Sequence, residues 1–280
     1  MTAHLSDSVF DLSLTSGRVQ VSRHGSAQAP LVILVHGLSA HMHSFDTIIE
    51  KLADQNLQLV AVDLRGRGRS EITPAGTYGL DAHSRDVLEI ASLLGAEQFD
   101  LIGWSMGALI GIGIANLAPQ RLRRLVLIDH AGKMDAGPVE KIRKGLERLD
   151  VIVDRPSTYL DAMRLAGSIS PWSSFWDNYY RYELGPYQQG FKPTTSKMAC
   201  TEDLNELMRV DFSVLWKNLT MPALLIRCLI PIADGYIVPA SERDQLQLAV
   251  PSITIAEFDC DHYSIMNSLQ AIDSIRAFFN

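Results

Sequence analysis

The chain has 280 residues, 47% of them hydrophobic, with 25 Lys and Arg against 32 Asp and Glu for a formal net charge of −7. That is length enough for a large buried core of ordinary globular composition. The acidic balance gives the molecule no reason to seek a polyanion, which counts against nucleic acid and acidic membrane surfaces as partners.

Residues 1–10 show neither the basic start nor the apolar run of a secretory signal, and no apolar stretch approaches the roughly 18 residues of a membrane-spanning helix. Residues 18–24 alternate as a half-buried strand does. Residues 31–35, LVILV, form a continuous apolar run ending at His36-Gly37, the pattern of a strand buried on both faces. Residues 44–53 place Phe45, Ile48, Ile49 and Leu52 on one helical face. Residues 57–62 predict the next strand, which runs into the glycine-broken loop 63–69. Residues 81–94 predict a helix that Gly95 ends. A short strand over 99–102 leads into Gly103-Trp104-Ser105-Met106-Gly107, then a buried helix over 108–117, then a strand over 122–128 ending at Asp129. Strands alternating with helices imply βαβ units, a parallel sheet and helices on both of its faces.

From about Lys133 to Val214 that rhythm stops. Residues 138–149 read as a helix, aromatic residues crowd between Trp172 and Tyr187, and Gly185, Pro186, Gly190 and Pro193 interrupt any regular element in residues 185–193. The rhythm returns with a strand at 223–227, a helix at 240–249, a strand at 252–258 and a last helix from Tyr263. The expected organisation is an α/β core of residues 1–132 and 215–280, interrupted by a cap over 133–214. The three cysteines, Cys200, Cys228 and Cys260, are odd in number and far apart. They make no disulfide framework and fit a reduced, cytoplasmic setting. No CxxC or HxxxH pair suggests a metal site.

The chemistry is expected where strand, G-x-S-x-G and helix meet. A serine on so sharp a turn stands clear of the sheet, the flanking glycines avoid collisions, and the helix that starts there favours developing negative charge. A serine hydroxyl needs a base. Of the eight histidines only His262 directly follows a late strand; His4, His24, His41, His43, His83 and His130 read as surface or packing residues. The base needs an orienting carboxylate. Asp234 is the acid in the loop after the 223–227 strand, far enough before His262 for one helix and one strand. Asp129 is its rival, and Asp259 and Asp261 are too near His262 in sequence. The oxyanion donors expected are the backbone N–H groups of Met106 and Leu38.

Taken together, His36-Gly37, residues 63–70, Gly103-Trp104-Ser105-Met106-Gly107, Asp234 with Val238-Pro239, and Asp261-His262 resemble the α/β-hydrolase superfamily. The resemblance implies an eight-stranded, mostly parallel sheet with a lid between strands six and seven, and no cofactor for ester or amide cleavage. A serine nucleophile points away from the epoxide hydrolases and haloalkane dehalogenases, which use a carboxylate. Tyr263 stands where relatives that cleave carbon–carbon bonds carry tryptophan. Residues 190–193, GFKP, are similar to a segment of small bacterial amide and lactone hydrolases.

The reading is a serine hydrolase acting on a small ester, lactone or amide. A non-hydrolytic relative (a cofactor-independent dioxygenase or a lyase) and a hydrolase-fold small-molecule receptor are the alternatives on the same scaffold. The substrate-binding candidates are His36, whose other role is shaping the loop beside the site, Trp104, Trp172 and Trp176. Lys141, Arg143, Lys144 and Arg148 form either a solvated basic face or the partner of a carboxylate-bearing substrate, for which Arg164 and Arg181 are further candidates.

Overall fold

The computed structural model describes residues 8–280; His4 and most of the segment read for a signal lie outside the described residues. In chain order come β1 (Ser8–Leu14), β2 (Gly17–His24), β3 (Leu31–Val35), α1 (Asp46–Leu52), β4 (Gln58–Val62), α2 (Leu80–Leu93), β5 (Phe99–Trp104), α3 (Met106–Leu117) and β6 (Leu122–Ile128). The chain then leaves the sheet for α4 (Ala136–Gly145), α5 (Pro156–Leu165), α6 (Ser174–Glu183), the hairpin β7 (Leu184–Tyr187) and β8 (Gly190–Pro193), and α7 (Lys197–Leu207). It re-enters through β9 (Ala223–Cys228), α8 (Ala240–Ala249), β10 (Thr254–Phe258) and α9 (Leu269–Phe279).

The eight-stranded sheet runs β1-β2-β4-β3-β5-β6-β9-β10. Both ladders of β2 are antiparallel and every pairing from β4 to β10 is parallel. Parallel strands need crossovers, and the crossovers put apolar helix faces on both sides of the sheet. Every residue of β3, β4, β5 and β9 is buried for that reason. Val87, Ile90, Ile110, Ile114 and Leu246 of α2, α3 and α8 pack on one face. Ile48, Ile49 and Leu52 of α1 and Ile272 and Ile275 of α9 pack on the other.

Two strand regions went unread in the sequence. β1 is an edge strand in which exposed positions alternate with half-buried ones, and its Ser8, Asp11 and Ser13 dilute the apolar signal. β7 and β8 form where Gly185, Pro186, Gly190 and Pro193 predict only breaks. A two-stranded ladder is all edge, so proline costs it few hydrogen bonds. Among the described residues no helix is long and apolar enough to cross a membrane.

The turn that carries Ser105 is held by contacts too close for any side chain. A Cβ on Gly103 would lie 2.2 Å from the Gly107 carbonyl oxygen, and one on Gly107 would lie 1.8 Å from the Val35 carbonyl oxygen. Those obstacles are backbone and cannot rotate away. Gly107→Ala is therefore expected to cost roughly 3 kcal/mol or more. That corresponds to a fall in Tm of about 6–12 °C for a chain of this size, measurable by thermal denaturation; an unchanged Tm would mean that α3 can slide off β3.

Candidate active site

Ser105 sits between the last residue of β5 and the first of α3, at φ 56° and ψ −119°. That region is strained for a residue with a side chain. Its N–H donates to the Ile128 carbonyl at 2.9 Å, which ties the turn to the end of β6. His262 lies in the turn after β10. Its Nδ1 is 2.8 Å from Oδ2 of Asp129, the residue that follows β6. The N–H of Cys228, the last residue of β9, donates to Oδ1 of the same carboxylate at 2.9 Å. Burial alone would push the Asp129 carboxyl up. The hydrogen bond and charge of His262, with the donors of Cys228, outweigh burial and hold it below the ordinary carboxylate range. An ionised Asp129 accepts a hydrogen bond from Nδ1–H and leaves the Nε2 lone pair available as a base.

The carboxylate that orients His262 is thus Asp129 and not Asp234, which corrects the sequence expectation. Asp234 is exposed, at φ 62° in a tight turn closed by the bridge between Ile232 and Gly235. Asp129 was the acid set second. Its position follows from strand order: β6 lies next to β5, which leads into Ser105, and next to β9, which neighbours β10. Asp261 is occupied locally, accepting from the N–H groups of Tyr263 and Ser264 at 2.8 and 2.9 Å and so fixing the turn that presents His262. Trp104 completes this support. Its Nε1 donates to the His262 carbonyl at 3.2 Å, and the two rings stand 5.3 Å apart.

Leu38 and Met106 line one cavity together with Ser105, and neither N–H donates to a protein acceptor among the described residues. The Gly37–Leu38 peptide is fixed from its other side. The Gly37 carbonyl accepts from the Ala40 N–H at 3.2 Å and from His36 Nδ1 at 2.7 Å, while His36 Nε2 accepts from the Leu64 N–H at 3.1 Å. The Leu38 carbonyl is held as well, by Arg67 Nε at 2.9 Å and the Cys200 thiol at 3.3 Å. His36 is fully buried and lines neither cavity that touches Ser105, so its placement as a substrate contact is corrected: both ring nitrogens are spent on backbone, and the ring sets the loop.

Two cavities meet at Ser105. One of 250 Å³ also touches His262 and is walled by Trp104, Trp176, Tyr179 and Tyr180. The other, of 550 Å³, runs between α3 and α7, past Met106, His130 and Phe212. Leu38 and Ile142 line both. Trp104 and Trp176 therefore stand at the smaller cavity. Trp172 does not. Its indole stacks on Tyr180 at 5.6 Å and donates to Asp177 at 3.1 Å, a layer behind the wall. Ile142 and Met163 are cavity residues that the sequence left unmarked, because an apolar residue on a cap helix carries no chemical signature. Ile142, one turn before Gly145 and Leu146 on α4, could have been found from its helical spacing alone.

Burial pushes His36 down to about 3 and, with the charge of His262, pushes His130 down to about 4. Both stay neutral in the folded protein across the range in which an unfolded histidine, at about 6.5, takes up a proton. Below that value the unfolded chain binds more protons than the folded one. Stability is then full above about pH 6.5 and is lost as pH falls, by roughly 1.4 kcal/mol per unit for each ring until its folded pKa is reached. Urea titrations at pH 7 and 5 should show this loss and should show it reduced in His36→Gln; an equal loss in both would remove His36 from the account.

The fold has known counterparts. The family model described as alpha/beta hydrolase fold matches residues 30–269, and the chain belongs to that family. It is 34% identical over 117 residues to the 3-hydroxybutyrate-oligomer hydrolase of Cupriavidus necator, which is 41% of this chain and 40% of that protein. It is 36% identical over 98 residues to the N-formylmaleamate deformylase of Pseudomonas putida, 35% of this chain and 36% of that protein. The chain thus spans about two fifths of the length of these curated relatives. Among solved structures, E-2-(acetamidomethylene)succinate hydrolase superposes with a TM-score of 0.87 at 20% identity, covering 98% of this chain and 99% of that one. The enol-lactonase from Burkholderia xenovorans LB400 gives 0.72 at 16% identity, covering 96% and 99%. At such identities the likeness is one of fold.

Proposed function

We propose that the protein cleaves a small ester, lactone or amide through an acyl-enzyme on Ser105, with His262 as base and Asp129 orienting it. The hydrogen bond between Asp129 and His262 Nδ1 carries this reading, because it sets the tautomer in which Nε2 accepts a proton. Ser105 Oγ attacks the carbonyl carbon as its proton passes to Nε2. The N–H groups of Leu38 and Met106 receive the developing oxyanion. Collapse expels the leaving group, which takes the proton from His262, and water, activated by the same nitrogen, releases the acid and restores Ser105. In this scheme residues 133–214 act as the lid over the acyl site. Relatives named as a 3-hydroxybutyrate-oligomer hydrolase and an N-formylmaleamate deformylase are in keeping with this reading. The free thiols of Cys200, Cys228 and Cys260 fit a cytoplasmic setting.

The test is intact mass after exposure to a fluorophosphonate. One adduct on the wild type, absent in Ser105→Ala and slow to form in His262→Ala, is the expected result. No adduct, with no turnover of short p-nitrophenyl esters, overturns the reading in favour of a receptor or a non-hydrolytic reaction.

A further inference from the structure

The two cavities at Ser105 differ in charge. The 550 Å³ cavity has Lys133 and Arg209 on its wall alongside Asp211 and Glu242. The 250 Å³ cavity, which holds Ser105 together with His262, is lined by Lys141, Lys144 and Arg148 and, among the described residues, by no Asp or Glu. This one-sided set occurs in a chain whose net charge is −7. The three cations recur at three- and four-residue spacing along α4 and the turn after it, which brings them to one face.

They are not equivalent. Arg148 donates to the buried carboxylate of Glu183 at 2.6 Å, to the Gly145 carbonyl at 3.1 Å and to Ser39, and Glu183 in turn accepts from the Tyr159 hydroxyl at 2.9 Å. Its charge is answered and its terminal nitrogens are engaged, so it serves as a strut. Lys144, itself exposed, meets the exposed Glu140 at 3.6 Å and no other carboxylate among the described residues. Lys141 is half-buried and forms no ion pair among the described residues. A cleft with low-dielectric aromatic walls and cations of one sign focuses positive potential.

We propose that the smaller cavity receives a carboxylate carried by the substrate, with Lys141 and Lys144 as its charge partners, which makes the substrate class carboxylate-bearing esters, lactones or amides. This rests on Ser105 being the nucleophile. Lysines present point charges on flexible stems and not a bidentate fork, so they select for the presence of the charge and tolerate variation in chain length.

The experiment is steady-state kinetics on matched pairs, with the wild type and the double variant K141M/K144M. In one pair the carboxylate ends the acyl chain (mono-p-nitrophenyl adipate against p-nitrophenyl hexanoate). In the other it sits on the leaving group (4-acetoxybenzoate against phenyl acetate). The expected result is that at least one anionic ester is preferred by roughly tenfold in kcat/KM. The double variant then loses about 5–20-fold on that ester, chiefly through KM, with its neutral match within about twofold. Raising the salt to about 0.5 M, where screening acts within roughly 4 Å, should erode the same preference. Equal responses of the neutral and anionic esters to the double substitution, or a preference for the neutral ester in both pairs, would overturn the proposal. Calorimetric titration of Ser105→Ala with monomethyl adipate reads the same cavity without turnover. Binding there that K141M/K144M removes, in a protein that turns over neither pair, upholds the carboxylate site while the acyl-enzyme reading fails. No binding, in a wild type that hydrolyses the neutral esters, overturns the carboxylate site and leaves the acyl-enzyme reading standing.

Discussion

Replacing Ser105 with alanine is expected to lower kcat on a short aryl ester by about 10⁶-fold, the size of effect seen when the nucleophile of a serine triad is removed, while leaving the protein folded. The companion variant Ser105→Gly separates function from strain. At φ 56° and ψ −119° a side-chain-bearing residue costs on the order of 1–3 kcal/mol, which glycine avoids at an entropic cost of roughly 0.5–1 kcal/mol. Ser105→Gly should therefore be inactive yet raise Tm, by up to about 10 °C. The measurements are initial rates and thermal denaturation on the same preparations. Residual activity within a hundredfold of the wild type in either variant would show that another group carries the chemistry. A Tm below that of the wild type in Ser105→Gly would show that the turn is not strained.

Asp129→Asn carries the second large effect. The amide would place a donor or a neutral acceptor against His262 Nδ1, removing the carboxylate that sets the tautomer and stabilises the imidazolium, so kcat should fall by about 10⁴-fold. Asp234→Asn, at an exposed turn away from the ring, should leave kcat within about twofold. Both variants are read from kcat at a fixed pH, with circular dichroism to confirm folding. The opposite ranking would return the orienting role to Asp234 and would require the loop after β9 to rearrange around His262.

Much of this architecture was legible in local patterns. Residues 31–35 and 223–227 read as doubly buried strands because continuous apolar runs have no other stable place in a βα-alternating chain. Ser105 was legible because the demand for glycine at positions 103 and 107 is a local steric fact, visible in the 2.2 and 1.8 Å approaches. His262 was legible because it follows β10 directly.

What the sequence by itself determined, then, is the strand–turn–helix that strains and presents Ser105 and the strand end that delivers His262. Only the tertiary structure decided which carboxylate meets that histidine, since Asp129 and Asp234 each follow a strand, and the choice depends on how β6 and β9 lie in the sheet and where the intervening loop turns. It also decided that His36 faces inward to backbone partners, that Trp172 stands behind Tyr180, and that Lys141 and Lys144 share a cavity with Ser105. The physical reason is the same throughout: steric and hydrophobic constraints act on neighbours in sequence, whereas a hydrogen bond or a shared cavity joins side chains that only the packing of distant segments brings together.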